Sequence, residues 1–419
     1  MSNLPDNPEN STFSETEQCD NSRRHLLKSA FVMAIGMAGV FPEIVHGDEH
    51  LNKPMGESNV PNAKSRCFAY VGCRTTKERN ARGEGISVYH VDSATSTWTL
   101  VQLVKNLVNP SFLILDKSQR FLYTVHGDMS EVSAFSVNPH SGELTFLNHQ
   151  STQGKNPAYL TVDDSNRFVL VANYATGTLA VLPRNDDGSL GTVVHLEHLP
   201  GIPGPNKVDQ TFSHPHMVAY DPERRFILVP DKGLDRIFTF RFDAASGKLI
   251  PADPPFRQVR PGAGPRHIVF HPTAPYAFVT DELDASVDAY HYDATPGTLT
   301  PLQVIPSAPD TFTGANTAAE INILPSGRFI YVSNRGHDSV GVFGVDAASG
   351  RLTPIQWVPS EGKGPRFCTL DPTNTFLYAA NENSDTIVPF SVDAQTGRLH
   401  RNGPIIHTAS PVCIIFSTI

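Results

Sequence analysis

Charged side chains recur in this sequence at the same place in successive repeats. Short segments that lead into apolar runs carry His214, His216, Arg266, His267, Glu320 and Arg366. A second set of short loops carries His126, Asn173, Asp231, Asp281-Glu282, Asn334-Arg335 and Asn381-Glu382. Histidine and glutamate take a proton from water when burial and neighbours bring their pKa near working pH. Paired arginines hold a developing oxyanion, or clamp a carboxylate or phosphate through parallel N–H donors. Together they suit attack of water on a carbonyl. Each residue also has a plainer role. Asp231, Asn173, Asn334 and Asn381 occupy matching positions, as turn-capping Asx side chains do. Glu282 and Glu382 follow such positions and read equally as solvated loop carboxylates. Arg266 and Arg366 can equally brace carbonyls of neighbouring repeats. His214 and His216 flank Pro215 and suggest a metal pair, but no third ligand is evident.

The elements that must position these residues are repeats, which are sought before anything else in a chain of this kind. The unit is a Pro-containing turn, an apolar strand, an aromatic-rich strand, a polar loop, a third strand, and Asp-x-x-(Ser/Thr)-Gly-x-Leu. Its clearest copy runs from Gly364-Pro365-Arg366 through Phe376-Leu377-Tyr378 and Thr386-Ile387-Val388 to Thr396-Gly397-Arg398-Leu399. Other copies start at Asn109-Pro110, Asn156-Pro157, His214-Pro215, Gly264-Pro265, near Ala319-Glu320, and at Ser410-Pro411, which makes seven starts. Four short strands per unit with turn residues between them predict propeller blades. Asp243-Ala244-Ala245-Ser246-Gly247 and Asp346-Ala347-Ala348-Ser349-Gly350 are near-identical turns in which glycine supplies a positive φ.

The ends support a closed ring. The chain stops after Val412-Cys413-Ile414-Ile415-Phe416, which is only a first strand. Phe68-Ala69-Tyr70-Val71-Gly72 aligns with a second strand, and Ile86–Tyr89 and Trp98–Val101 supply the third and fourth. The expected fold is an all-β, seven-bladed propeller over 66–419 whose last blade is built from both termini, leaving no open sheet edge there. In such a ring the first strand of each blade lines the channel. The loop leading into it and the loop between strands two and three then emerge on one face. Phe112, Leu113, Ile114, Leu122, Tyr123, Phe226, Ile227, Leu228, Ile330, Tyr331 and Val332 are expected to pack between blades.

Composition narrows the classes. The 419 residues contain 34 Pro and 30 Gly, with a formal net charge of −9. An acidic chain does not fit a nucleic-acid binder, which needs a basic face. Ser22-Arg23-Arg24-His25-Leu26-Leu27-Lys28 followed by an apolar run from Ala30 to Phe41 resembles a twin-arginine (Tat) export signal. That run is shorter than the roughly 20 residues a membrane span needs, so cleavage near Val45-His46-Gly47 is expected, without stable membrane insertion. The resulting organisation is a signal over 1–47, a linker over 48–65 and the propeller. The export machinery is then a partner, and the product is a periplasmic or extracellular monomer. Without residues 1–47 the formal charge is −6. Of the five cysteines, Cys19 leaves with the signal. Cys67, Cys73, Cys368 and Cys413 match no zinc spacing. Either Cys73 and Cys413 pair where the termini meet, or all four are buried free thiols.

At the charged segments the pattern resembles the seven-bladed lactonase family, which includes bacterial 6-phosphogluconolactonases and fungal carboxy-muconate cyclases. The stretches that carry the resemblance are Ser213-His214-Pro215-His216 with Pro230–Asp235, and Gly264-Pro265-Arg266-His267 with Thr280-Asp281-Glu282-Leu283. Ala319-Glu320-Ile321 with Ser333–Ser339, and Gly364-Pro365-Arg366 with Ala380-Asn381-Glu382, complete the set. The resemblance implies a hydrolase that opens a sugar lactone without a cofactor or metal. It places the catalytic groups on His216 (His214 competing), Arg266, Glu282 and Arg335, with either Glu282 or His216 as the base. His214, His267, Glu320, Asn334, Arg366 and Glu382 are expected to bind substrate. The insert Gly201–Gln210 departs from the family and is expected to reshape the pocket rim. The export signal is a second departure, because the usual member acts on a cytosolic phosphorylated intermediate. A cyclase or isomerase acting on an unsaturated acid, and a non-catalytic binding platform, are the competing functions.

Overall fold

A computed structural model describes residues 66–419. The twin-arginine segment, its cleavage site, the linker and Cys19 lie outside the described residues. Seven antiparallel sheets, each a meander running outward from the channel, form the expected propeller. The innermost strands are Pro110–Leu115, Pro157–Val162, Ala219–Tyr220, Pro265–Phe270, Thr317–Ile323, Pro365–Leu370 and Pro411–Thr418, heading blades 1 to 7 in that order. Blade 7 is closed as the ends of the sequence imply. Pro411–Thr418 pairs with Cys67–Cys73, which continues to Gly85–Asp92 and Thr97–Lys105. Blade 3 is the least regular, because its inner strand keeps two paired residues and one isolated bridge, Pro215 to Asp231. The outer strand of blade 6 is split into Leu399–Arg401 and Ile406–His407.

Each strand alternates its two faces, and both faces pack on neighbouring blades. The cores are therefore seams between sheets, such as Tyr123, Val125 and Val132 of blade 1 against Leu160, Val169 and Val171 of blade 2. Polar ties repeat with the blades. A second-strand tyrosine donates to a turn glycine carbonyl of the next blade in Tyr70 to Gly142, Tyr123 to Gly188 and Tyr331 to Gly397, at 3.0, 2.9 and 3.1 Å. Such bonds satisfy a buried phenol and fix the angle between blades. The two Asp-Ala-Ala-Ser-Gly turns close as expected, with Gly247 and Gly350 at φ 70° and 67°.

One expectation needs correction, and one open alternative is decided. Phe112 does not belong to the seams alone, because its ring faces the channel cavity. Of the two readings of the cysteines the second holds, since Cys67, Cys73, Cys368 and Cys413 are free and buried. Gly72, not Cys73, stands opposite Cys413. The Cys73 thiol instead donates to Gly85 O at 2.8 Å, and Cys413 Sγ accepts from Leu113 N at 3.4 Å. Burial pushes the Cys73 thiol up to about 11.

Candidate active site

Register converts repeat position into a site. In blade 4 Pro265 pairs with Asp281 and His267 with Thr280, so Arg266 is one residue too many on its strand. The same bulge stands at Ser111, Ala158 and Arg366. Val412 holds it in blade 7, Ala319 in blade 5, and the Pro215 bridge puts His216 there in blade 3. A bulge re-aims a side chain that the pleat would otherwise send into a seam. Ser111, Ala158, His216, Arg266, Arg366 and Val412 thereby line a cavity of about 290 Å³ at one channel mouth. Arg266, His267, Glu320 and Arg366 thus lie within inner strands rather than in the loops before them.

A second tier comes from the residue that ends strand two or follows it. The residue before it turns away from the cavity. Asn173, Asn334 and Asn381 each donate through Nδ2 to a carbonyl of the preceding blade's outer segment, and Asp231 accepts from the backbone of His214, Gly233 and Leu234. The next residue faces the cavity, as Tyr174, Lys232, Glu282, Arg335 and Arg74 do. The Asx positions are therefore caps, and Asn334 stands behind the wall. His214 is also behind it. Its ring stacks on Tyr174 at 4.4 Å, and its Nδ1 bonds Tyr174 O at 2.9 Å. Glu382 sits at the rim, 3.9 Å from Arg74 Nε. His216, Arg266, Glu282, Arg335, His267, Glu320 and Arg366 all line the one cavity.

Glu282 is the centre of an ion cluster. Its Oε1 accepts from Lys232 Nζ at 2.8 Å, and its Oε2 lies 3.0 Å from Arg266 Nε and 3.2 Å from Arg335. Burial alone would raise its pKa, but Arg335, Lys232 and Arg266 outweigh burial and hold the carboxyl well below the usual range. A carboxylate answered by three cations is a poor proton acceptor and a good anchor. His216 is different. Burial lowers its pKa well below the ordinary imidazole value, helped by Arg266, His267, Arg366 and Lys232, so the ring is neutral. Its Nδ1 lies 3.1 Å from His267 Nε2, while its Nε2 has no hydrogen-bond partner among the described residues. Burial, then Arg366, push the Arg266 guanidinium down to about 9, which leaves it cationic at neutral pH. The Arg366 guanidinium makes no hydrogen bond or ion pair among the described residues.

The cavity is cationic within an acidic chain. Six cations, Arg74, Arg79, Lys232, Arg266, Arg335 and Arg366, face three carboxylates, Asp209, Glu282 and Glu320. Lys232, Arg74, Arg79, Tyr174 and Asp209 were not singled out from sequence. Lys232, Tyr174 and Arg74 occupy the repeat position of Glu282 and Arg335, so carrying that alignment through every blade, including the split one, identifies them. Asp209 comes from the Gly201–Gln210 insert. Buried Gln210 fastens it by donating to Lys232 O and Asp235 Oδ1 at 2.8 and 2.7 Å. Among the described residues, no group of three His, Cys, Asp or Glu side chains is arranged to hold a metal.

Comparison with known proteins agrees with this architecture. Residues 68–416 match the family described as Lactonase, 7-bladed beta-propeller. The 6-phosphogluconolactonase of Bacillus subtilis is 36% identical over 310 residues, 74% of this chain and 86% of that protein. The 6-phosphogluconolactonase of Formosa agariphila is 31% identical over 316 residues, covering 72% and 86%. Among solved structures, the periplasmic gluconolactonase of Pseudomonas aeruginosa superposes with a TM-score of 0.78 at 31% identity, covering 85% of this chain and 100% of that one.

Proposed function

Because the chain belongs to the seven-bladed β-propeller lactonase family, we propose that its channel mouth hydrolyses a sugar lactone to the open-chain acid, with His216 as the base. The observation that carries this is the meeting of a neutral imidazole, its Nε2 free of protein partners among the described residues, with arginines that line the same cavity. Water adds to the lactone carbonyl carbon as its proton passes to His216 Nε2. The carbonyl π pair becomes an oxyanion, and Arg266, Arg335 and Arg366 answer it. When the carbonyl re-forms, the ring C–O bond breaks and the departing oxygen takes the proton back from His216. One water is added and His216 returns to its starting state. Glu282 acts as the fixed counter-ion that orients Lys232, Arg266 and Arg335.

The same charge pattern favours a lactone with an anionic substituent, because the cations outnumber the carboxylates around it. The reaction needs no metal in this reading, since both oxygens of Glu282 already face cations. The decisive experiment measures hydrolysis of gluconolactone and of its 6-phosphate by the signal-free protein, with product analysis and with chelator. Ring-opened acid formed at the same rate with and without chelator is the expected result. Cyclisation of an unsaturated acid with no lactone opening overturns it, and loss of turnover with chelator overturns the metal-free step. Export by the twin-arginine route to the periplasm or beyond, as a monomer, rests on Arg23-Arg24 and the apolar run after them. Retention of an Arg23→Lys/Arg24→Lys variant in the cytoplasm is the expected outcome.

A further inference from the structure

One step below the bulged residues, the inner strands present Phe112, Tyr159, Met217, His267, Glu320, Phe367 and Cys413, one from each blade. Five of the seven are apolar or aromatic. The two that are not stand side by side on blades 4 and 5, and they touch each other. His267 Nδ1 lies 3.1 Å from Glu320 Oε1, and His267 Nε2 lies 3.1 Å from His216 Nδ1. His267 is 1% exposed and Glu320 7%. The edges of Tyr159 and Phe112 close on the His267 ring at 5.5 and 6.4 Å. The second carboxylate oxygen, Glu320 Oε2, is buried with no partner. A pair whose only task is packing would be replaced without loss by the residue types its neighbours use at this level.

From this chain of contacts we propose that Glu320 and His267 are positioning residues which fix the proton of His216 on Nδ1 and so leave its Nε2 free, toward the cavity, to take a proton from water. The direction follows from the donors available. A carboxylate only accepts, so His267 donates from Nδ1 and its Nε2 is a lone pair. That lone pair accepts from His216 Nδ1–H, and the one nitrogen of His216 without a partner is then the basic one. When His216 becomes imidazolium during turnover, its added charge is answered through His267 by the Glu320 carboxylate. The logic is that of a buried acid orienting a catalytic imidazole, with one more ring in the path. The groups facing His216 are Arg266, Arg366, Lys232 and the rings of His267 and Tyr174. Those facing His267 are Glu320, Arg266, Arg366 and the rings of His216, Tyr159 and Phe112. Glu320 is the one among them that favours protonation of His267.

The inference rests on His216 being the base of lactone opening, and two readouts keep the two claims apart. The first is long-range ¹H–¹⁵N correlation of the resting protein, which needs no substrate. Both His216 and His267 are expected as Nδ1–H tautomers, and a proton on Nε2 of His216 overturns the relay whatever the activity proves to be. The second is the pH profile of kcat/KM for Glu320→Gln. With the carboxylate charge gone, kcat is expected to fall on the order of 10²-fold with KM unchanged. The acid limb should also move to lower pH, because His216 becomes harder to protonate. A purely structural pair predicts an unmoved limb. Should Glu320→Gln fold poorly, the double variant His267→Phe/Glu320→Leu restores the apolar character of the other blades. It is expected to keep the wild-type Tm and lose kcat, and wild-type kcat in it overturns the proposal. A wild-type protein inactive on every lactone, with both tautomers as described, sinks the lactonase reading and leaves the relay standing.

Discussion

The two halves of the channel mouth share a fold and differ in chemistry. On blades 3 to 6 the bulged position and the one beneath it carry His216, Arg266 with His267, Glu320 beneath Ala319, and Arg366. On blades 7, 1 and 2 the same two positions carry Val412 and Cys413, Ser111 and Phe112, Ala158 and Tyr159. The inner-strand bulge recurs in both halves, so the difference at these positions lies in the side chains. In the proposed reaction one half supplies the reacting groups, and the other supplies small residues that leave room for the substrate above Phe112 and Tyr159. Only the outer tier breaks the division, where Arg74 and Arg79 bring positive charge to the blade 7 side. The repeat supplies aimed positions, and function comes from filling them unequally.

The largest expected effect tests the reactive half. His216→Ala removes the proposed base, and kcat should fall on the order of 10³-fold, as general base removal does. KM should change little, since the imidazole acts on water. Steady-state kinetics on an opened lactone checks this, and a variant within tenfold of wild type would move the base elsewhere. Arg266→Ala follows, with kcat lowered about 10²-fold or more, the usual result of deleting an oxyanion donor.

Glu282→Gln is expected to act on stability more than on chemistry. The carboxylate holds three cations, and removing its charge leaves them facing one another, at a cost of about 3 kcal/mol at pH 7. The pKa of Glu282 in the folded protein is depressed, because its cation partners outweigh burial. Its stabilising contribution is therefore complete above the unfolded carboxyl value of 4.5 and is lost as pH falls below it. Denaturant melts from pH 7 down to pH 3 should show wild type and Glu282→Gln converging toward acid. A constant gap would mean that the carboxylate is not held by charge.

These predictions also mark what the sequence carries. The ring, the split blade and the face that bears the candidate site were legible because each depends on a period: turn glycines, the Pro-containing turn before the first strand, and a first strand near the C-terminus whose partners lie near residue 68. Seven of the ten residues expected at the site line one cavity, since repeat position decides which end of the channel a side chain reaches. The misses have a local cause. A strand residue and its successor point to opposite sides, so Asn334 caps its turn while Arg335 reaches the cavity. His214 and His216, two apart, would share a side in a regular strand, and they diverge because His216 stands at the bulge after Pro215. Arg74 was hidden because its blade is divided between the ends of the chain. The extra inner-strand residue that aims Arg266 and Arg366 follows the entry proline in six of the seven blades, Ala319 being the exception, but that it stands unpaired is revealed only by the pairing.

The opposite half should respond to size. Ala158→Leu introduces bulk where the substrate is expected to lie, and KM should rise about tenfold, the equivalent of 1.4 kcal/mol, with kcat kept once substrate is bound. Ser111→Ala at the matching position of blade 1 should leave both constants alone. Equal sensitivity to His216→Ala and Ala158→Leu in kcat would erase the distinction between the halves. On the charged side, Arg366→Ala should weaken binding of a phosphorylated lactone about tenfold, in line with one charge-assisted hydrogen bond. A neutral lactone should bind it as it binds wild type.

The smallest effect belongs to the insert. Lys232 has two carboxylate partners, Glu282 at 2.8 Å and Asp209 at 3.2 Å. The Glu282 side chain is 11% exposed and that of Asp209 43%. Water screens the second pair, so its interaction is worth no more than about 1 kcal/mol. Asp209→Asn should therefore change kcat/KM by less than about fivefold. For an anionic lactone the change should be a gain, because one repelling carboxylate leaves the rim. Measuring the variant on charged and neutral lactones at low and high salt separates this from a packing effect. A gain confined to the charged substrate and abolished by salt is what the screened pair predicts, whereas a loss on both substrates would make the insert part of the binding wall rather than its rim.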